Sequence, residues 1–77
     1  MTQMLRSGST GQQVKDLQKV LNFVLPSNPP LVVDGIFGPK TYAAVTAFQR
    51  QNNLSPDGIV GPLTSSGLVK RVLFLRG

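Results

Sequence analysis

Two stretches of this chain carry the same groups at the same spacing. Asp34-Gly35-Ile36-Phe37-Gly38-Pro39-Lys40-Thr41 recurs as Asp57-Gly58-Ile59-Val60-Gly61-Pro62-Leu63-Thr64, with six of the eight residues identical. Asp-Gly favours a tight turn, because Gly tolerates positive φ and the carboxylate can accept from backbone N–H groups just ahead of it. Gly-Pro then opens a helix, since Pro fits the first helical position, where its missing N–H costs nothing. The apolar residue between (Phe37, Val60) pins each loop to a core. Helix starts of this kind offer unpaired backbone N–H groups to an anion. Each copy therefore has the chemistry of a braced loop beside an anion-tolerant helix end.

Catalysis finds little to work with. The chain has no histidine and no cysteine, and its carboxylates number three: Asp16, Asp34 and Asp57. General acid–base chemistry needs His or a carboxylate pair, and a hydrolytic zinc site needs His, Cys or Glu ligands. Two of the three aspartates are committed to the repeated loops. Calcium or magnesium would need more oxygen ligands than either loop supplies. The expectation is a binding module that is no enzyme, with no cofactor and no metal.

The repeat extends into the elements that hold the loops. Val14-x-x-Leu17-Gln18 matches Val45-x-x-Phe48-Gln49, and Thr41-x-x-x-Val45 matches Thr64-x-x-x-Leu68. Two units sharing a middle helix give three helices, and two copies are too few for an open solenoid. The fold class is all-α: a compact three-helix bundle built from two pseudo-repeats with short Asp-Gly loops. Helices are expected near Ser9–Leu25, Pro39–Gln51 and Pro62–Leu73, the first opened by a Ser9-x-x-Gln12 capping box. Inward stripes are Val14, Leu17, Leu21 and Val24, then Thr41, Ala44, Val45 and Phe48, then Leu63, Leu68, Val72 and Leu75. Pro26-Ser27-Asn28-Pro29-Pro30 stops the first helix, and Leu31-Val32-Val33 reads as a short extended strand. Asn52-Asn53-Leu54 stops the second helix. Gln18 and Gln49, in matching places, should bond backbone groups of the adjoining loops.

Leu5-Arg6-x-Gly8-Ser9-x-Gly11-x-x-Val14-x-x-Leu17-Gln18, the two Asp-Gly loops and Ala44-Val45-x-x-Phe48-Gln49 together resemble the peptidoglycan-binding-like domain family. The resemblance covers roughly residues 5–68 of a single domain spanning 1–77. It implies a three-helix module that binds peptidoglycan, by stem peptide or glycan, and targets an attached or partner cell-wall hydrolase. It also implies action in the cell envelope or outside the cell. The apolar and basic stretch 69–77 falls outside the resemblance, as a helix extension, a linker or a surface-seeking tail.

Eight Lys and Arg set a formal net charge of +5, which favours anionic partners in general. A small basic helical nucleic-acid-binding domain is therefore an alternative, disfavoured because the cations are dispersed rather than gathered on one helix face. A protein-interaction module covering the apolar tail is another. No apolar run approaches membrane-spanning length, and Met1–Ser9 has no apolar signal-peptide region, which leaves a missing segment or phage lysis as the export route. The expected ligand site lies between the two loops, at Ile36, Lys40, Thr41, Tyr42 and Ile59. Apart from Thr41, which also heads the inward stripe of the second helix, these are the loop-side groups with donors or apolar surface that helical periodicity does not claim for the core. The Lys15/Lys19 face is the competing placement.

Overall fold

The Gly-Pro pairs start helices at the two repeated positions. In the computed structural model, which describes residues 4–77, α1 spans Gln12–Val24, α2 Pro39–Gln51 and α3 Pro62–Arg76. Residues 1–3, the beginning of the Met1–Ser9 stretch, lie outside the described residues. Among the described residues there is no strand, only two isolated antiparallel bridges, Leu5 with Val60 and Thr10 with Ile36. Leu31-Val32-Val33, expected as a strand, is an irregular segment. Asn22 holds it to α1: its Oδ1 accepts from the Leu31 N–H at 2.7 Å and its Nδ2 donates to the Leu31 carbonyl at 3.1 Å. A side chain thus takes the backbone pairing that a strand partner would have supplied.

The α1 start differs from expectation. Gly11, at φ +111°, is the N-cap, and no side chain caps the helix. Ser9 instead accepts from the Arg6 N–H at 3.1 Å, and Gln12 donates to the Asp16 carboxylate at 2.9 Å. The capping box fails because the Ser9 backbone is already engaged: its carbonyl accepts from the Phe37 N–H at 3.0 Å. The α2 stop follows the Asn-Asn-Leu signal. Asn53 sits at φ +57°, Leu54 N–H donates to the Gln49 carbonyl at 2.8 Å and Asn53 N–H to the Arg50 carbonyl at 3.3 Å. This pair of bonds is the Schellman pattern, closed by a left-handed Asn.

Val14, Leu17, Leu21, Val45 and Phe48 are buried as their periodicity requires, with Phe37 and Val60 of the two loops among them. In α3 only Leu68 of the expected inward stripe is fully buried, and Val72 partly so. Leu63 is 76% exposed and Leu75 is exposed too. Leu63 is exposed because it lies one residue off the inward face of Thr64, Leu68 and Val72, and Leu75 because it lies in the last turn of α3, where little of the helix is covered.

Two buried glutamines lock the loops onto the helices. Gln18 Oε1 accepts from the Gly35 N–H at 3.0 Å, while Nε2 donates to Asp34 Oδ1 at 3.0 Å, the Ile36 carbonyl at 3.0 Å and Thr41 Oγ1 at 3.2 Å. Gln49 repeats the set with Gly58 N–H at 3.0 Å, Asp57 Oδ1 at 3.0 Å, the Ile59 carbonyl at 3.0 Å and Thr64 Oγ1 at 3.1 Å. Nε2 has two hydrogens for three oxygens, so one bond is shared. The same aspartates accept at 2.9 Å from Ile36 and Ile59 N–H respectively. The backbone bond from Ile36, then the Gln18 amide, hold the Asp34 carboxyl below its ordinary 3.8. Asp34 and Asp57 thus brace their loops, and Gln18 and Gln49 bond them, as their matched positions required.

Two outcomes follow from these networks. Gln49→Glu keeps the volume but removes the Nε2 donors and sets a second carboxylate against Asp57. It should cost about 3 kcal/mol or more at neutral pH, from stranded buried groups and repulsion. Urea unfolding at the wild-type midpoint would show that the amide only fills space. For Asp34, a depressed folded-state pKa means stability that is complete above the unfolded value and lost as pH falls through the folded one. Asp34→Asn should therefore be less stable at neutral pH and flatten the acid limb of a stability-versus-pH curve. An acid limb identical to wild type would remove Asp34 from that role.

Candidate functional site

Each loop, with the helix that follows it, walls a shallow hollow. Beside the first loop a hollow of about 460 Å³ is lined by Leu31, Val32, Ile36, Pro39, Lys40 and Thr41, over the Gln18–Asp34 network. Beside the second, a hollow of about 290 Å³ is lined by Met4, Leu54, Ser55, Ile59, Leu63 and Thr64. The two hollows share no lining residue. Their walls correspond through the repeat: Leu31 to Leu54, Ile36 to Ile59, Thr41 to Thr64. They differ where charge is concerned, because Lys40 of the first stands where the second has Leu63.

The N-terminal segment widens that difference. It runs past both loops, exchanging backbone bonds between Leu5 and Val60 at 3.2 and 2.8 Å, and between Gly8, Ser9 and Phe37 at 3.1 and 3.0 Å. At the second loop it also places Met4 in the hollow, with its terminal methyl 3.5 Å from where a Cβ on Gly61 would be. A Cβ on the equivalent Gly38 would meet nothing within 4 Å. The first hollow is the larger of the pair and the one with a cation in its wall.

The five residues singled out from sequence fall into three places. Ile36 (57% exposed), Lys40 and Thr41 line the first hollow, although Thr41 is buried and its hydroxyl accepts from Gln18. Ile59, partly buried, lines the second. Tyr42, 43% exposed, stands on the first turn of α2 with its ring laid against Gly58 of the second loop. A Cβ on Gly58 would run into that ring, and Gly58 is at φ +75° besides. Tyr42 is thus the side chain that bridges from the first loop's helix to the second loop. Lys15, of the competing face, lays its stem on Gly35: Cγ and Cε lie 3.2 and 3.3 Å from a Cβ built there. Its aliphatic part covers loop backbone while the ammonium stays in water.

Neither Gly38 nor Gly61 supplies a side-chain cap, so the first turns of α2 and α3 have no side-chain acceptor at the N-cap. An anionic group beside Lys40 would meet both a cation and the positive end of α2. Among the described residues no three His, Cys, Asp or Glu gather to hold a metal ion. Sequence reasoning missed Val32 and Leu31 as walls of the first hollow and Asn22 as the clamp on them. The signal was present in the match of Leu31 to Leu54.

Comparison with known proteins agrees in fold and in sequence. Residues 10–67 match the family model described as "Putative peptidoglycan binding domain". The zinc D-Ala-D-Ala carboxypeptidase of Streptomyces albus G is 43% identical over 60 residues, 78% of this chain and 24% of that protein. A spore cortex-lytic enzyme of Halalkalibacterium halodurans is 36% identical over 74 residues, 96% of this chain and 22% of that protein. The crystal structure of the SleB N-terminal domain superposes with a TM-score of 0.82 at 36% identity, covering 91% of this chain and 93% of that one. The chain spans about half or less of the length of the curated relatives it matches. With three helices, duplicated loops and a match over residues 10–67, the chain belongs to the peptidoglycan-binding domain family.

Proposed function

We propose that this chain is a non-catalytic module that binds bacterial peptidoglycan and targets an attached or partner cell-wall-acting protein, in the envelope or outside the cell. The observation that carries the reading is the family match over residues 10–67. The wall-directed names of the relatives, a D-Ala-D-Ala carboxypeptidase and a spore cortex-lytic enzyme among them, agree with it. The chain's own chemistry agrees too, since both loop carboxylates are spent on bracing.

Within that reading the ligand rests on the first loop and reaches toward the second. A stem-peptide carboxylate sits at Lys40 and the start of α2, where charge and helix dipole act together. Ile36 and the exposed edge of Tyr42 cover the apolar part of the ligand, and Thr41 shapes the floor. Ile59 lines the second hollow, next in sequence to the Gly58 that the Tyr42 ring touches, and a longer ligand would extend toward it. The larger volume of the first hollow, the free space at Gly38 and the lysine in its wall support this placement.

Sedimentation with purified sacculi tests it. The chain should pellet with sacculi and release no soluble muropeptides. Lys40→Ala and Tyr42→Ala, each checked for wild-type helicity, should weaken binding by about tenfold, the scale of losing one well-placed contact. Lys15→Ala with Lys19→Ala should weaken it less, and binding should persist as salt rises, because a contact in a hollow is screened less than a surface charge patch. Greater loss from the Lys15/Lys19 pair would move the site to α1, and no pelleting would refute wall binding itself.

A further inference from the structure

The connection from α1 to the first loop is longer than its counterpart after α2. Gln18 and Asp34 stand 16 residues apart and Gln49 and Asp57 only 8, although both pairs make the same bond. The extra length changes how a hollow gets its wall. After α2 the chain turns at once, and the helix end itself holds Leu54, whose N–H donates to the Gln49 carbonyl at 2.8 Å. After α1 the chain first travels through residues 26–30, so no helix end is at hand when it returns. Leu31, in the place matching Leu54, is held instead by Asn22, which pairs with both its N–H and its carbonyl. Among the described residues no other hydrogen bond joins residues 29–33 to the rest of the chain. Asn22 and Asn53 are themselves matching residues, four after Gln18 and four after Gln49. One repeat uses its asparagine as a left-handed helix stop and the other uses it as a clamp.

The clamp decides what the wall displays. Leu31 packs against the core and Val32 points outward, 73% exposed, as alternation along an extended stretch requires. Val32 therefore stands in the wall of the first hollow with Ile36 and Lys40, where the second hollow has Ser55 in the matching place. The polar side chains beneath are engaged with one another, Asp34 and Thr41 both through Gln18. What the hollow offers a ligand is two branched aliphatic side chains beside one cation. We propose that Val32 is a specificity-determining contact for the wall ligand and that Asn22 is the residue that positions it. This rests on the reading of the first hollow as the ligand site. Val32 and Ile36 close on a short aliphatic side chain of the stem peptide, next to the carboxylate that Lys40 takes. A sugar ring would ask for hydrogen-bonding side chains, which the wall segment 31–33 does not have, while a hydrocarbon branch gains by leaving water. Asn22 touches no ligand and acts through the backbone it fixes. With Leu31 held at both polar groups, Val32 meets the ligand without losing freedom on binding.

Sacculus pelleting by the whole chain tests this, with helicity and urea midpoint measured for each variant. Val32→Ser, which copies the second hollow, should lower binding by about fivefold, the scale of one apolar side chain partly covered by ligand. Its folding should be unchanged, because the side chain is exposed. Val69→Ser on α3, 59% exposed and outside both hollows, should bind as wild type does. Asn22→Ala should lower binding by a similar factor and speed hydrogen exchange at the Leu31 N–H by about tenfold or more, since that amide loses its acceptor. Combining the variants separates positioning from plain stability: Asn22→Ala should lower binding no further in the Val32→Ser background, because the contact it acts through is gone. Additive losses would overturn the positioning role. Wild-type binding by Val32→Ser, or an equal loss from Val69→Ser, would overturn the contact, and Lys40→Ala still weakening pelleting would then leave wall binding itself standing. A wild-type chain that does not pellet would overturn wall binding and this contact together.

Discussion

The structure depends on a buried primary amide used twice. Gln18 and Gln49 each turn one side chain toward a loop N–H, a loop carbonyl, a loop carboxylate and a helix hydroxyl. Carboxamides suit this place because they donate and accept at once, which neither a carboxylate nor a hydrocarbon can do. A buried loop brings backbone polar groups out of water, and each must find a partner or cost free energy. Among the described residues no buried side-chain polar atom is left without one. The Asp-Gly turns can therefore lie against the core, carrying Phe37 and Val60 into it, rather than standing off as flexible surface loops.

Duplication sets up two equivalent frames, and packing then makes them unequal. The same amide network supports both hollows, yet the N-terminal segment sets Met4 beside Gly61 in one and no side chain beside Gly38 in the other. A single substitution in the repeat, Lys40 against Leu63, gives charge to the larger one. Tyr42 adds a link that the repeat itself lacks. The residue matching Tyr42 in α1 is Gly11, whose carbonyl lies 3.2 Å from a Cβ built on Gly35, where Tyr42 uses its ring at Gly58. One loop is closed by backbone and the other by an aromatic face, so the surface above them is asymmetric although the frames beneath are alike.

The remainder of the chain separates load from display. Core contacts are concentrated in α1, α2 and the two loops, with α3 contributing Leu68 and part of Val72. Beyond Leu68 the third helix gains little burial and exposes large side chains on more than one side. The loop hollows and the α3 end thus present different chemistry: a braced polar frame with one lysine at the first, and apolar surface among cations at the second.

Much of this was legible in the residues themselves. Local rules fixed the α2 and α3 starts, because Gly-Pro constrains backbone without reference to the rest of the chain. They fixed the α2 stop at Asn53 for the same reason. The repeat identified Gln18, Gln49, Asp34 and Asp57 as counterparts, and their roles followed from being polar beside a core. Tertiary structure decided what local rules leave open. Ser9 had the pattern of a helix cap, but a bond from the Phe37 N–H, distant in sequence, claimed its carbonyl, and α1 began at Gln12 instead. Leu75 had helical spacing from Leu68 and Val72, but spacing tells which residues share a face and not whether another element covers it, while Leu63, five residues before Leu68, falls off that face. Asn22 and Leu31 meet across a chain reversal that no short-range pattern encodes. The site residues divide the same way: sequence could name Ile36, Lys40, Thr41, Tyr42 and Ile59 as loop-side groups. Only the packed fold could set the first three at one hollow, Ile59 at another and the Tyr42 ring against Gly58, because those placements are fixed by contacts between segments distant in the chain.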